Sequence, residues 1–163
     1  MHYVAHIHSE DGQLLAEFPD APGCQTFAGT HDQLREMAQE ALEGWLEAHL
    51  VDGQSPPRPR AHSTAPAGYE LWRVHVRPGL SSAVQLRWAR QDAKLSQSEL
   101  ARKAGVSQQQ IAKLEHPDEN PTLGTLAKVA AALGVTVSVA LEPMPARSAV
   151  KPAKRAAKRR KAA

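Results

Sequence analysis

Three consecutive glutamines, Gln108, Gln109 and Gln110, follow a Gly-Val-Ser turn in the stretch GVSQQQIAKLE, residues 105–115. A glutamine amide both donates and accepts, and from the DNA major groove it can bond adenine N6 and N7 together. Placed three residues after a serine, the same side chain can instead close a capping box. The spacing separates these jobs. Gln110 pairs with Ser107 as a cap. With Ile111 and Leu114 turned inward, Gln109, Ala112 and Lys113 turn outward, and Gln108 lies at the flank. Other reactive side chains are less well placed. His2, His6 and His8 sit on a strand pattern without a nearby Cys or acidic ligand pattern, so they read as ordinary strand histidines and no metal site is expected. Cys24 has no His or Asn at a recognisable spacing and lies in a Pro-Gly turn, which points to packing. No catalytic residue and no cofactor are expected.

The elements that must hold the glutamines are marked by their caps. Ser82 with Gln85 opens a predicted helix through about Asp92. Ser96 with Glu99 opens one through Ala104, and Ser107 with Gln110 one through about Glu115. Thr122 starts a last helix, ended by Gly134. In LSQSELARKAGVSQQQIAKLE (95–115), Leu100 and Ala104 face inward, and Ala101 is small where the next helix must cross. Gly105 permits positive φ at the turn, and Val106, Ile111 and Leu114 pin the second helix. This is a helix-turn-helix pattern. VTVSVAL (135–141) alternates like a strand and would need a partner, for which a second copy of the chain is a candidate.

Across residues 80–141 the segment resembles the Cro/cI-type (XRE) helix-turn-helix family. The resemblance implies DNA binding by Gln97, Arg102, Ser107, Gln108, Gln109 and Lys113. Gln97 would touch phosphate and brace Gln108, and Lys113 would meet phosphate or a base. EHPDENP (115–121) departs from the family: Glu115, Asp118 and Glu119 stand where many relatives are basic.

The net charge of +3 conceals an asymmetry. Residues 1–54 hold one basic residue, Arg35, against ten acidic ones, and residues 55–163 hold nineteen against seven. Such a split suits a basic partner in front and a polyanion behind. One cysteine cannot form an internal disulfide, so a reducing cytoplasm is the expected setting. No apolar run is long enough to span a bilayer. In front, YVAHIH (3–8) and LLAEF (14–18) read as strands around an Asp-Gly hairpin turn, and CQTFA (24–28) as a third. Thr30 with Gln33 caps a helix whose stripe is Leu34, Met37, Ala38, Ala41, Leu42, Trp45 and Leu46. A Pro-rich connector (52–68) reads as extended and polar, and YELWRVHV (69–76) as a strand returning to the first sheet. After Pro145 come eight basic residues and no acidic one, a composition expected to be disordered.

FPDAPGCQTFAG (18–29), with the capped helix behind it, resembles the HicB antitoxin family through Phe18, Pro19, Asp20, Pro22, Gly23 and Cys24. This implies an α+β chain in three parts. Residues 1–78 would form a β-β-β-α-β, partial RNase H-like toxin-binding domain, 79–142 a helix-turn-helix domain with a terminal strand, and 143–163 a basic tail. It further implies an antitoxin that masks a small basic ribonuclease toxin, HicA, and represses its own operon at an inverted repeat. It would be a homodimer or higher oligomer, with no membrane association. Glu17, Phe18 and Asp20 are the candidate toxin contacts. Two other readings remain. One is a stand-alone XRE-type regulator whose front domain senses a ligand. The other is a metal-dependent RNase H-like nuclease, disfavoured because the first strand carries no carboxylate and Glu10, Asp11 and Glu17 lie in or beside a turn.

Overall fold

Asp11 and Gly12 both take positive φ, 48° and 80°, as the two central residues of a type I′ hairpin turn must. In the computed structural model, which describes residues 1–60 and 64–141, they join β1 (His2–Glu10) to β2 (Gln13–Glu17). The chain continues through β3 (Gln25–Ala28), α1 (His31–Val51) and β4 (Glu70–His75). Four helices follow: α2 (Pro78–Asp92), α3 (Gln97–Ala104), α4 (Gln108–Leu114) and α5 (Leu123–Leu133). The sheet is antiparallel in the order β3-β2-β1-β4, so the last strand lies beside the first. The fold is α+β, and among the described residues no helix is long and apolar enough to cross a membrane.

Alternation decides which sheet face α1 covers. Tyr3, Ala5, Ile7, Ala16, Trp72 and Val74 are buried on one face, against Leu34, Ala38, Leu42, Leu46 and Leu50 of α1. Those helix residues form a strict i, i+4 row. Met37, expected in the stripe, lies at its margin and is 41% exposed. Thr30 caps the helix by accepting from Gln33 N.

The sequence-based expectations need three adjustments. The helix expected to start at Ser82 begins a turn earlier, with Pro78 at its first position and no side-chain cap. Proline presets φ there and has no N–H to orphan, while Ser82 Oγ donates to Gly79 O inside the helix. The connector, expected to be extended and polar, is also fastened to the fold. Tyr3 Oη donates to Pro57 O, Trp88 Nε1 to Pro56 O, and Arg58 pairs with Asp92 at 2.7 Å. Residues 135–141 form no strand: the pattern is present, but among the described residues no sheet edge pairs with it. The basic tail lies outside the described residues.

Two hydrophobic cores result, and α2 belongs to both. Leu80, Ala83 and Val84 complete the front core. Leu86 enters the rear core with Leu100, Ala101, Ala104, Ile111, Leu114 and Val129.

Candidate nucleic-acid interface

The rear site is built from two capping boxes and one left-handed residue. Ser96 Oγ accepts from Glu99 N, and the Glu99 carboxylate accepts from Ser96 N and Oγ. These bonds to the charged form, the one from the Ser96 backbone foremost, hold the Glu99 carboxyl below its usual range. Gly105 ends α3 at φ 62°, ψ 45°, a conformation that costs glycine nothing and other residues about 1 kcal/mol or more. Ser107 then caps α4: its Oγ accepts from Gln110 N at 3.2 Å, and Gln110 Oε1 accepts from Ser107 N at 3.0 Å. Gln110 is thereby occupied at the helix start. Ala101 is buried at the crossing, and Ile111 and Leu114 anchor α4.

What remains outside is a polar, cationic surface. Gln108, Gln109, Ala112 and Lys113 are exposed on α4, and Arg102 and Lys103 on α3. Adjacent amides with free donors and acceptors suit base edges, and the cations suit phosphate. Ser107 is exposed at the helix entrance. Gln97 is placed differently from expectation. It is half-buried, and its Nε2 donates to Glu115 Oε2 at 3.1 Å rather than meeting Gln108.

Glu115 accounts for that displacement. Its side chain is 1% exposed, so this acidic residue of the 115–121 departure is not on the surface. Arg90 donates to it twice, through Nε to Oε1 and Nη2 to Oε2, and Arg87 Nε lies 3.4 Å from Oε2. Hydrogen bonding to Glu115 raises the Arg90 guanidinium above its already high range. Arg87 also reaches across to the front half, donating to Leu50 O and Gln54 O at the end of α1. Arg77 makes a second bridge, from the Glu43 and Glu47 carboxylates to Pro117 O. Arg87 and Arg90 were not singled out from the sequence. A usable signal existed, because Glu115 follows Ile111 and Leu114 at i+4 and i+1 and so falls on the buried stripe, where a charge demands a partner.

In front, the Phe-Pro-Asp-x-Pro-Gly-Cys turn is a closed structure. Phe18 N donates to Cys24 O, Ala21 N to Phe18 O and Cys24 N to Ala21 O. Phe18 and Asp20 are buried, at 3% and 4% exposure, and Glu17 is half-buried. Asp20 accepts from Arg60 Nε and Arg60 N, each at 2.7 Å, which ties the connector to the turn. Burial also pushes the Cys24 thiol up to about 11 and Tyr3, which faces Asp20, still further above its usual range. The accessible parts of this turn are Pro22, Gly23 and, beyond it, Gln25 and Phe27. Among the described residues, no three His, Cys, Asp or Glu side chains converge as a metal site.

An antiparallel sheet with one covering helix, fused to a capped helix-turn-helix, defines a two-part protein with a DNA-binding rear domain. Comparison with known proteins agrees for both parts. A model described as "HicB_like antitoxin of bacterial toxin-antitoxin system" matches residues 3–76, and a helix-turn-helix model matches 86–139. Antitoxin HicB 1 of Photorhabdus laumondii is 31% identical over 133 residues, covering 82% of this chain and 81% of that protein. The immunity repressor protein of Bacillus phage phi105 is 43% identical over 54 residues, covering 33% of this chain and 38% of the repressor. A solved HicA3 and HicB3 toxin-antitoxin complex contains a chain with 26% identity and a TM-score of 0.43, covering 48% of this chain and all of that one. The chain belongs to the HicB antitoxin family, in a form that carries a helix-turn-helix domain of the XRE type.

Proposed function

We propose that this chain is the antitoxin of a HicAB-type pair. Its front domain binds and masks a small basic ribonuclease toxin of the HicA kind, and its rear domain represses its own operon at an inverted repeat. The observation that carries this reading is the order and charge of the two matched parts. An acidic HicB-like domain precedes a basic helix-turn-helix on one chain. A ribonuclease must be basic where it grips RNA, so an acidic surface both attracts it and competes for that face. Glu36 and Glu40 are exposed along α1, and Glu43 and Glu47 beside them meet Arg77. The exposed pair and the surface beside the Phe18–Cys24 turn are the places to look for toxin contacts, since Phe18 and Asp20 act from inside. The role is binding, without catalysis.

Two α4 helices, one from each chain of a homodimer, would read the two half-sites of the repeat. Gln108, Gln109 and Lys113 take the base and groove contacts, with Arg102 and Ser107 at the backbone. The test is to express the full chain with the small basic protein encoded beside it. Co-purification, suppressed toxicity and a gel shift on the operon's own promoter are expected. A chain that shifts the promoter but neither binds nor neutralises a neighbouring toxin would instead be a stand-alone regulator. RNA cleavage abolished by chelation would make it a nuclease.

A further inference from the structure

Resting on the operator reading just given, we propose that Ala112 is a specificity-determining residue of the recognition helix: its methyl group meets the 5-methyl of a thymine in the major groove. The helix α4 is short, Gln108–Leu114, and its inward residues Ile111 and Leu114 are 0% and 4% exposed. Gln110 is taken by the Ser107 cap. The remaining exposed side chains of α4 are Gln108, Gln109, Ala112 and Lys113. The two glutamines and the lysine are polar or charged, and in that reading they already face bases or phosphate. Ala112 carries no hydrogen-bonding group and no charge, so a methyl surface is all it offers. Turned to water, that methyl adds nothing to the packing of α4, which Ile111 and Leu114 hold.

Position on the helix fixes where this surface lies. Ala112 follows Gln108 at i+4 and Gln109 at i+3, so it sits one turn along the same side, about 5–6 Å away between Cβ atoms. The Cα–Cβ bonds of a helix tilt toward its N-terminus, which aims the Ala112 methyl back at the Gln108 methylenes. Together they form a small apolar notch beside two amides. An A·T pair shows the groove two things: adenine N6 and N7, which a glutamine amide bonds, and the thymine methyl, which an apolar surface reads. The notch and the amides match both. Gln97 gives the contact its weight. Its Nε2 donates to Glu115 Oε2 at 3.1 Å, so it does not brace the Gln108 amide. An amide without that brace can turn over and exchange its donor for its acceptor. A thymine methyl against Ala112 marks which strand carries the thymine, whichever way the amide turns.

The experiment is a binding titration of the full chain on a duplex from the operon's own promoter, spanning the proposed inverted repeat. Thymines are replaced by deoxyuridine one position at a time, in both half-sites. The replacement removes the 5-methyl and leaves every base-pair hydrogen bond. At one thymine, wild type should lose about fourfold in affinity per half-site, the worth of one buried methyl group. Ala112→Gly should bind the thymine and deoxyuridine duplexes equally at that position. The readout is a ratio of two affinities within one variant, so a weaker α4 in Ala112→Gly cancels. Wild type that binds both duplexes equally at every position would overturn the inference, as would a thymine preference that Ala112→Gly retains in full. No binding to the unmodified duplex would overturn the operator reading too, and is seen before any thymine is replaced.

Discussion

Replacing Glu115 by alanine should be among the most damaging single changes outside the hydrophobic cores. The carboxylate is 1% exposed and meets Arg90 in two hydrogen bonds, Arg87 at 3.4 Å and Gln97 at 3.1 Å. The Arg87 and Arg90 side chains are themselves only 9% and 14% exposed, so water cannot take over the role of the missing anion. Removing one partner of such a buried group costs about 3–5 kcal/mol, chiefly because the remaining charges are left uncompensated. Set against a typical total of about 5–15 kcal/mol, this is a large fraction of the fold's stability. Urea unfolding followed by tryptophan fluorescence should show the loss as a lower midpoint at unchanged slope. Replacing both Arg90 and Glu115 by methionine should recover the part due to Arg90, while Arg87 keeps only its bonds to Leu50 O and Gln54 O. Glu115→Ala within about 1 kcal/mol of wild type would refute the reasoning, since surface ion pairs contribute no more than that.

The remaining predictions are briefer. Gln109→Ala should relax operator preference by about 1–3 kcal/mol at one base pair. Gln110→Ala should instead lower stability by about 1 kcal/mol through the lost cap and leave base preference alone; binding titrations on altered operators beside thermal melts distinguish the two. At Gly79 an added Cβ would lie 2.7 Å from Glu119 O, a main-chain atom, so Gly79→Ala should cost about 1–3 kcal/mol by overpacking. Gly44→Ala, with nothing within 4 Å, should be neutral or stabilising in the same denaturation assay. Because Ser96 holds the Glu99 carboxyl below its ordinary range, its contribution is present above the unfolded value of about 4.3 and is lost as pH falls through the folded one. Glu99→Gln should therefore flatten the acid limb of thermal stability, which melts across that range would detect.

What the sequence disclosed was what depends on neighbours in the chain. The Ser96 and Ser107 capping boxes, Thr30 and Thr122 at their helix starts, Gly105 and Gly134 at their ends, and the Asp11-Gly12 hairpin are set within a few residues of one another. The Gln110 cap and the outward placement of Gln109 were legible for the same reason. Contacts between distant segments were not. Asp20 was a candidate toxin contact in the sequence, and only the structure shows that Arg60, forty positions later, makes it an internal fastening. Gln97 was expected beside Gln108, and a buried Glu115 claims it instead. The strand pattern at 135–141 was legible, yet an alternating segment specifies only what it can pair with, and pairing needs an edge that the described residues do not bring to it.

The position of α2 bears on how the front domain can be tested alone. Composition and motif put the change of domain near residue 78, but Leu80 and Val84, both fully buried, complete the front core from beyond that point. Burying two such side chains contributes roughly 3–6 kcal/mol, comparable to the whole stability of a small domain. Arg87, one turn further on, caps the end of α1 through Leu50 O and Gln54 O, and Trp88 holds the connector at Pro56. A fragment of residues 1–78 lacks all of these, whereas 1–92 keeps them and gives up the rear-core packing of Leu86 and the Glu115 partner of Arg87 and Arg90. The longer fragment should therefore melt cooperatively, and the shorter one should be largely unfolded under the same conditions. Equal stability of the two would mean that α2 is a passenger on the front core. A toxin-binding assay that used only the shorter piece would then report on the interface, whereas on the present packing it reports on folding.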